Sequence, residues 1–167
     1  SFRDVTAPNA DTLYTTAWVD VSKEPWVLSL PDFGNRYYLF PMLDAWTNVI
    51  AAPGTRTTGG GAQAYVITGP RYKGPVPTDL PRISSPTDLV WVHGRTYCTG
   101  TPEDYKKVHA LQDQYRLVPL SAWGKGAFKP PVAKVDPSVD MTTAVRDQVE
   151  RLGPAEYFAL LAKLMAS

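Results

Sequence analysis

Residues 35–61 constrain the fold most, because their apolar side chains occupy consecutive positions rather than every second one. A strand with one buried face alternates apolar and polar residues, whereas a strand covered on both faces is apolar throughout. The apolar positions here are Tyr37, Tyr38, Leu39, Phe40, Met42 and Leu43. Pro41 has no N–H to donate to a strand ladder, so we expect a bend there. The stretch therefore predicts central strands of a sheet that is buried on both sides.

Strand patterns also occur before and after this stretch. Alternating, β-branched and aromatic residues are typical of strands, and they occupy residues 13–21, 26–30, 64–68 and 89–98. Residues 69–85 are rich in proline and glycine and predict a long surface loop. Residues 117–135 contain several prolines and predict an extended segment too irregular for a core element.

Helices are predicted only after the last of these strands. Thr101 and Pro102 have the residue types of an N-cap and a first helical position. A second helix is predicted over residues 139–152, and a third begins at Pro154. The third carries an apolar face of Tyr157, Phe158, Leu161 and Leu164. Strands first and helices last favour a mainly β fold, an antiparallel β-sandwich or jelly-roll-like domain over residues 1–120. Residues 121–167 then form an extended linker and two helices.

The composition excludes several classes of protein. The 167 residues fit one domain with an appendage and are enough for a substantial core. A net charge of +1 gives no electrostatic basis for binding nucleic acid. No apolar run approaches the ~20 residues that cross a bilayer, so no membrane span is expected. Cys98 is the single cysteine and has no partner for an internal disulfide.

Three arginines lie beside glycine or in turns, namely Arg36, Arg56 and Arg95. A guanidinium group stays charged, and its planar fork matches a carboxylate. One interpretation pairs these arginines with aspartates as internal braces, the candidates being Asp11, Asp20 and Asp44. The other interpretation is an anion pocket that holds the carboxylate or phosphate of a substrate or ligand.

The same aspartates leave a hydrolase open as an alternative. Acid/base hydrolysis uses two carboxylates at a defined separation, which Asp11, Asp20 and Asp44 could supply. An arginine or His93 would then be the electrostatic partner of Asp11 or Asp44. The competing interpretation is structural: an Asx-turn for Asp11, a strand-end salt bridge for Asp20 and a brace for Asp44. A carboxylate with a perturbed pKa in an open cleft would favour the enzyme.

The strand predicted over residues 89–98 has two different faces. Val90, Val92 and Cys98 suit a core, whereas Trp91, His93, Arg95 and Tyr97 all point the other way. Aromatic rings provide stacking surface and an arginine provides a fork for a carboxylate. This face therefore predicts a site for a small, flat, anionic ligand. The alternative is that another layer covers the face, with His93 as a hydrogen-bonded structural residue.

The glycine-rich loop, residues 54–61, does not have the context of a nucleotide site. A phosphate-binding loop opens a helix, but here a strand is predicted to follow. We expect Arg56 to hold the loop by bonding backbone carbonyls. His93 and His109 lie on different elements without metal-ligand spacing. The sequence thus predicts neither a cofactor nor a metal site.

Five segments carry a family resemblance, in order: Pro8–Tyr14, Gly34–Tyr38, Leu43–Val49, Pro53–Gly59 and Gly94–Thr96. The series resembles domain-of-unknown-function family 1254, from about Arg3 to about Leu120. Residues 154–158 are similar to the helical linker that leads into a second domain, of family 1214, in many members. The resemblance implies a β-sandwich-rich fold, often in exported proteins, with no established activity and no agreed catalytic residues.

The family pattern contains the polar residues that stand out in the sequence itself, namely Asp11, Arg36, Asp44, Asn48, Arg56 and Arg95. The chain ends at Ser167, where the second domain would begin. It is therefore expected to be a short member, a fragment, or a chain whose partner domain is separate. We favour a binding or assembly module for a small anionic molecule, a second domain or another copy of the chain. The hydrolase is the alternative.

Overall fold

The computed structural model describes residues 9–130 and 136–165. The chain divides into two compact units, Ser1–Phe128 and Lys129–Ser167. The strands of the first unit are β1 (Thr12–Asp20), β2 (Trp26–Leu30), β3 (Tyr38–Leu39), β4 (Met42–Asp44), β5 (Val49–Ala51), β6 (Gln63–Thr68), β7 (Arg82–Ser84), β8 (Leu89–Tyr97) and β9 (Arg116–Pro119). Helix α1 (Pro102–Gln112) and a 3₁₀ turn (Leu120–Ala122) complete that unit. The second unit contains α2 (Val145–Glu150) and α3 (Pro154–Met165).

Two sheets form the first unit. The first sheet has the order β1-β8-β4-β5, with β3 also paired to β8, and every pairing in it is antiparallel. The second sheet has the order β7-β6-β2-β9. Its pairings are antiparallel except for β6 with β7, which is parallel. The mainly β fold predicted from the sequence is confirmed.

The core lies between the two sheets. Phe40 and Val92, on the side of the first sheet, pack with Leu28 and Ile67 of the second sheet. The close approach of Phe40 to β8 requires a glycine, because a Cβ atom on Gly94 would lie 2.5 Å from a carbon of the Phe40 ring. The inward face of β8 thus fits around one large aromatic side chain.

The strand and helix predictions near β8 agree with the structure. Val90, Val92 and Cys98 are buried, as the pattern predicted. Helix α1 follows β8, and the Asp104 N–H donates to Oγ1 of the N-cap Thr101 at 3.3 Å. A short strand that was not predicted, β9, follows the helix.

Three predicted segments are wrong in part. The loop predicted over residues 69–85 contains β7, whose register beside β6 buries Ile83. The irregular segment predicted over 117–135 contributes β9 to the edge of the second sheet, and its residues 131–135 lie outside the described residues. The helix predicted over 139–152 is shorter, since α2 covers only Val145–Glu150.

The central stretch is buried on one face only, so the prediction of two fully buried faces is wrong. Tyr38, Phe40 and Met42 have no exposed surface, whereas Leu39 and Leu43 are half-buried because they lie on the outer side of the first sheet. The chain does break at Pro41, between β3 and β4, and the Pro41 carbonyl accepts the His93 N–H at 2.9 Å.

In the second unit, α2 and α3 contain no buried residue. Tyr157, Phe158 and Leu160 of α3 are among its exposed apolar side chains. Among the described residues, no helix combines the length and apolar composition needed to cross a bilayer.

Candidate functional site

The outer side of β1 and β8 forms a continuous aromatic surface. The antiparallel register places Trp18 opposite Trp91, Thr16 opposite His93, Tyr14 opposite Arg95 and Thr12 opposite Tyr97. Because side chains alternate along a strand, all of these point away from the core. We call the outward-pointing set Tyr14, Thr16, Trp18, Trp91, His93, Arg95 and Tyr97 the aromatic face.

The rings of the aromatic face contact one another in series. Trp18 and Trp91 are stacked, with centroids 5.2 Å apart and an interplanar angle of 8°. His93 lies 4.8 Å from the Trp91 ring and 4.8 Å from the Tyr14 ring. The guanidinium carbon of Arg95 lies 4.9 Å from the centroid of Tyr14. Ordinary cross-strand packing thus builds a row that ends in a cation.

The row is accessible and held in place. Trp18 is 60% exposed and Tyr14 is 46% exposed. The indole Nε1–H of Trp91 donates to Oγ1 of Thr16 at 2.8 Å, which fixes the ring across the two strands. A fixed aromatic row with an open side is a preformed stacking surface.

His93 is the titratable group of the aromatic face. Its Nδ1 is enclosed and has no hydrogen-bond partner among the described residues. Burial lowers the pKa of the imidazole, and the Arg95 charge lowers it further. The neutral imidazole is therefore favoured near neutral pH, where it acts as part of the stack.

Arg95 carries a positive charge that no carboxylate of the described residues neutralises. It forms no ion pair within the described part of the chain, and its guanidinium group lies over the Tyr14 ring. The interpretation that Arg95 pairs with Asp11, Asp20 or Asp44 is therefore wrong. Trp91, His93 and Arg95 are each half-buried, so the face is not sealed as ordinary core.

Arg36 has a different role. Its Nη2 lies 2.6 Å from Asp104 Oδ1 and its Nη1 lies 3.0 Å from Asp104 Oδ2, a bidentate pair. Nη1 also donates to the Tyr97 carbonyl. The hydrogen bonds from Arg36, assisted by the Thr99 N–H, hold the pKa of Asp104 well below its usual range. Arg36 is thus an internal brace, but its partner is Asp104 rather than Asp11, Asp20 or Asp44.

Asp44 and Asn48 act together in the β4–β5 turn. Asp44 Oδ1 accepts the N–H groups of Trp46 and Asn48, each at 2.9 Å, and Oδ2 accepts Asn48 Nδ2 at 3.0 Å. These bonds, led by the Asn48 side chain, lower the pKa of Asp44. Asp44 is only 3% exposed. Asp44 therefore braces its own turn and pairs with no arginine among the described residues.

The sequence predicted that Arg56 holds the glycine-rich loop, and that prediction is wrong. Its guanidinium is exposed and lies 5.5 Å from the Tyr37 ring centroid. The loop is held instead by Gln63 Nε2, which donates to the carbonyls of Thr58 and Gly59. Gly59 needs to be glycine, because its φ of +85° disfavours side chains.

Asp11 is exposed and does not join the aromatic face. Its carbonyl accepts the N–H of Cys98, which extends the β1–β8 ladder by one bond. Asp20 accepts the Ser22 N–H at 2.9 Å and forms a turn rather than a salt bridge. Of the predicted site residues, the fold thus brings together Trp91, His93, Arg95 and Tyr97.

The chemistry available on the aromatic face is binding by stacking and charge. Across the described ranges, no group of three His, Cys, Asp or Glu side chains is placed to hold a metal ion. Asp44 and Asp104 have lowered pKa values and already accept several hydrogen bonds.

The sequence profile of a protein family of unknown function, DUF1254, matches residues 1–119. The chain belongs to the DUF1254 family. The fold resembles the crystal structure of the VPA0106 protein from Vibrio parahaemolyticus, with a TM-score of 0.67 and 28% sequence identity. The match covers 78% of this chain and 33% of that chain, so this DUF1254 domain corresponds to about a third of the Vibrio protein. No curated protein matches the sequence.

Sequence reasoning missed three residues of this DUF1254 domain that the geometry makes prominent. Tyr14 and Trp18 lie within the strand predicted over residues 13–21, but their position beside β8 depends on strand pairing across more than 70 residues. Asp104 lies in the first turn of the helix predicted from Thr101 and Pro102. An acidic residue at that position gives no sign of a partner 68 residues away.

Proposed function

We propose that this DUF1254 domain is a binding module, and that the aromatic face binds a small planar anion such as an aryl carboxylate. The observation that supports this most is the Arg95 guanidinium, which lies beside stacked rings and pairs with no carboxylate among the described residues. A planar ligand would stack at the Arg95 end of the row, against Tyr14 and His93 and beside Trp91, and its carboxylate would bond to Arg95.

The arrangement suits this ligand for two physical reasons. A guanidinium group offers two parallel N–H donors to one carboxylate, and charge-assisted bonds of this kind are stronger than neutral ones. The Trp18 and Trp91 rings are already stacked, and the Trp91 indole N–H is bonded to Thr16 Oγ1, so little side-chain entropy is lost when a ligand binds.

The test is a calorimetric titration with 1-naphthoate. Arg95→Lys keeps the charge but removes the paired donors, so we expect about tenfold weaker binding and an almost unchanged melting temperature. Arg82→Lys is the matched control, because Arg82 lies on β7 of the other sheet and should leave the affinity unchanged.

The neutral analogue 1-naphthalenemethanol separates stacking from charge recognition. We expect this analogue to bind the wild type more weakly than 1-naphthoate does. We also expect it to bind Arg95→Lys as tightly as it binds the wild type. Equal affinity of the wild type for both compounds would contradict the role of Arg95. Absence of binding by either compound would contradict the site itself.

The hydrolase alternative has less support. A general acid needs a pKa raised toward the working pH, whereas Asp44 and Asp104 have lowered values caused by hydrogen bonds they already accept. Within the described ranges, no carboxylate is bonded to His93 that would orient it as a base.

A role in assembly is the second candidate, and α3 favours it. The helix has 12 residues and no buried side chain, while Phe158 is 65% exposed and Met165 is 68% exposed. An isolated helix of about this length is marginal in water, so its apolar residues need a surface. Because two thirds of the Vibrio chain lie outside the matched region, a further domain is the partner we propose, with another copy of the chain as the alternative.

A further inference from the structure

An apolar cavity of about 230 Å³ enters the sandwich from its side, away from the aromatic face. It lies between β1 and β9, which are edge strands of the two sheets. Its inner wall consists of core residues from both sheets, Leu28, Phe40 and Val92, each no more than 3% exposed. Ala17 of β1 and Leu117 of β9 line the sides.

The walls of this cavity are fixed by contacts that do not depend on a ligand. Tyr115 packs edge-on against Phe40, with ring centroids 5.2 Å apart, and its hydroxyl lies 2.7 Å from Thr96 Oγ1. Gln112, at the end of α1, donates through Nε2 to Thr15 Oγ1 at 3.1 Å and to the Tyr14 carbonyl. Tyr115 and Gln112 are thus both bonded to strands of the first sheet, and these bonds hold the cavity open.

The polar groups that line the cavity belong to its outer part. Gln112 and Thr15 are half-buried, and Arg116 is exposed. Arg116 Nη1 donates to the carbonyls of Asp113 and Tyr115, and no carboxylate in the described ranges pairs with the guanidinium. The cavity thus combines an apolar interior with a single positive charge at its entrance.

We propose that this cavity binds a small amphiphilic monocarboxylate, with its apolar chain among Leu28, Phe40 and Val92 and its carboxylate at Arg116. An apolar cavity of about 150 Å³ is large enough to stay dry and bind benzene, whereas drug-sized ligands occupy roughly 300–1,000 Å³. The volume of this cavity therefore fits a short alkyl chain or a single ring. The site is separate from the aromatic face and does not depend on the function proposed for it.

Hexanoate is the probe, and intermolecular NOEs locate it in the wild-type protein. We expect NOEs from its methylenes to the methyl groups of Leu28 and Val92, and a melting temperature that rises with its concentration. NOEs to Trp18 in place of those methyl groups, or no binding at millimolar hexanoate, would overturn the proposal.

Four variants separate filling of the cavity from recognition of the charge. Ala17→Leu fills the cavity and should abolish hexanoate binding, while Trp18→Ala on the aromatic face should leave it unchanged. Arg116→Gln should weaken hexanoate binding about tenfold but leave 1-hexanol binding unchanged, and Arg116→Lys should restore part of the loss. Should Ala17→Leu not fold, the NOEs and Arg116→Gln still decide. Equal affinity of Arg116→Gln and wild type for hexanoate would overturn the role of Arg116.

Discussion

Three arginines with similar sequence surroundings have different roles in the fold. Arg36 forms a bidentate pair with Asp104 at 18% and 12% side-chain exposure. Arg56 lies over the Tyr37 ring on the surface, and Arg95 lies over Tyr14 at the end of an aromatic row. A partly enclosed guanidinium group favours a carboxylate partner, which Arg36 has in Asp104 and which Arg95 lacks among the described residues. The structural role therefore belongs to Arg36, and the proposed ligand role belongs to Arg95.

Removal of Arg36 should destabilise the fold. Arg36→Ala leaves the enclosed Asp104 carboxylate without its main partner, so we expect the melting temperature to fall by several degrees. Arg56→Ala is the matched control and should change it little, because Arg56 is exposed and unpaired within the described residues. Thermal unfolding by circular dichroism measures both. A larger loss in Arg56→Ala than in Arg36→Ala would contradict this assignment.

The Arg36–Asp104 pair should make the stability of the fold depend on pH. The pKa of Asp104 is lowered in the folded state, so the carboxylate stabilises the fold above its unfolded-state pKa of about 4. That contribution is lost as the pH falls below about 4 and through the lowered folded-state pKa. We expect the gap in melting temperature between the wild type and Asp104→Asn to be largest near neutral pH and to narrow in acid. A gap that stays constant over this range would argue against the linkage.

At the scale of elements, β1 and β8 show what the sequence could predict. The alternation in each strand correctly separated the inward Val90 and Val92 from the outward Trp91 and His93, because side-chain direction depends only on local period. The partner strand could not be predicted, since the pairing of Trp18 with Trp91 is set by the whole fold. β7 and β9 were missed because short edge strands carry too few residues for a pattern. The Arg36–Asp104 pair was missed for the same non-local reason.

Helix α3 is an element whose apolar residues are exposed. We expect the protein to associate at high concentration through these residues, with a mass above 18.4 kDa in light scattering. Phe158→Asp should shift it toward the monomer, because a charge at an apolar contact is costly. Lys163→Asp, on the same helix, is the control and should have a smaller effect. A clean monomer of the wild-type protein at high concentration would contradict association through α3.

At the scale of the whole molecule, the β-sandwich positions two separate candidate sites. The aromatic face lies on the outer side of the first sheet, and the apolar cavity lies between the edges of both sheets. One site offers stacking beside Arg95, and the other offers an enclosed apolar space beside Arg116. Fold class was predictable because it follows from the order of strands and helices. The β8 part of the aromatic face was also predictable, from its alternation, but the β1 part and the cavity were not, because both depend on strand pairing.

The central claim, that the aromatic face binds a planar anion, is tested most directly by the five tryptophan indole N–H signals in an NMR titration with 1-naphthoate. Trp18 and Trp91 belong to the stacked row, whereas Trp26 packs against Phe128. Trp123 lines another pocket, of about 550 Å³. We expect the Trp18 and Trp91 signals to shift and saturate together while those of Trp26 and Trp123 stay in place. Shifts confined to Trp26 or Trp123, or no shift in any indole signal, would contradict the account.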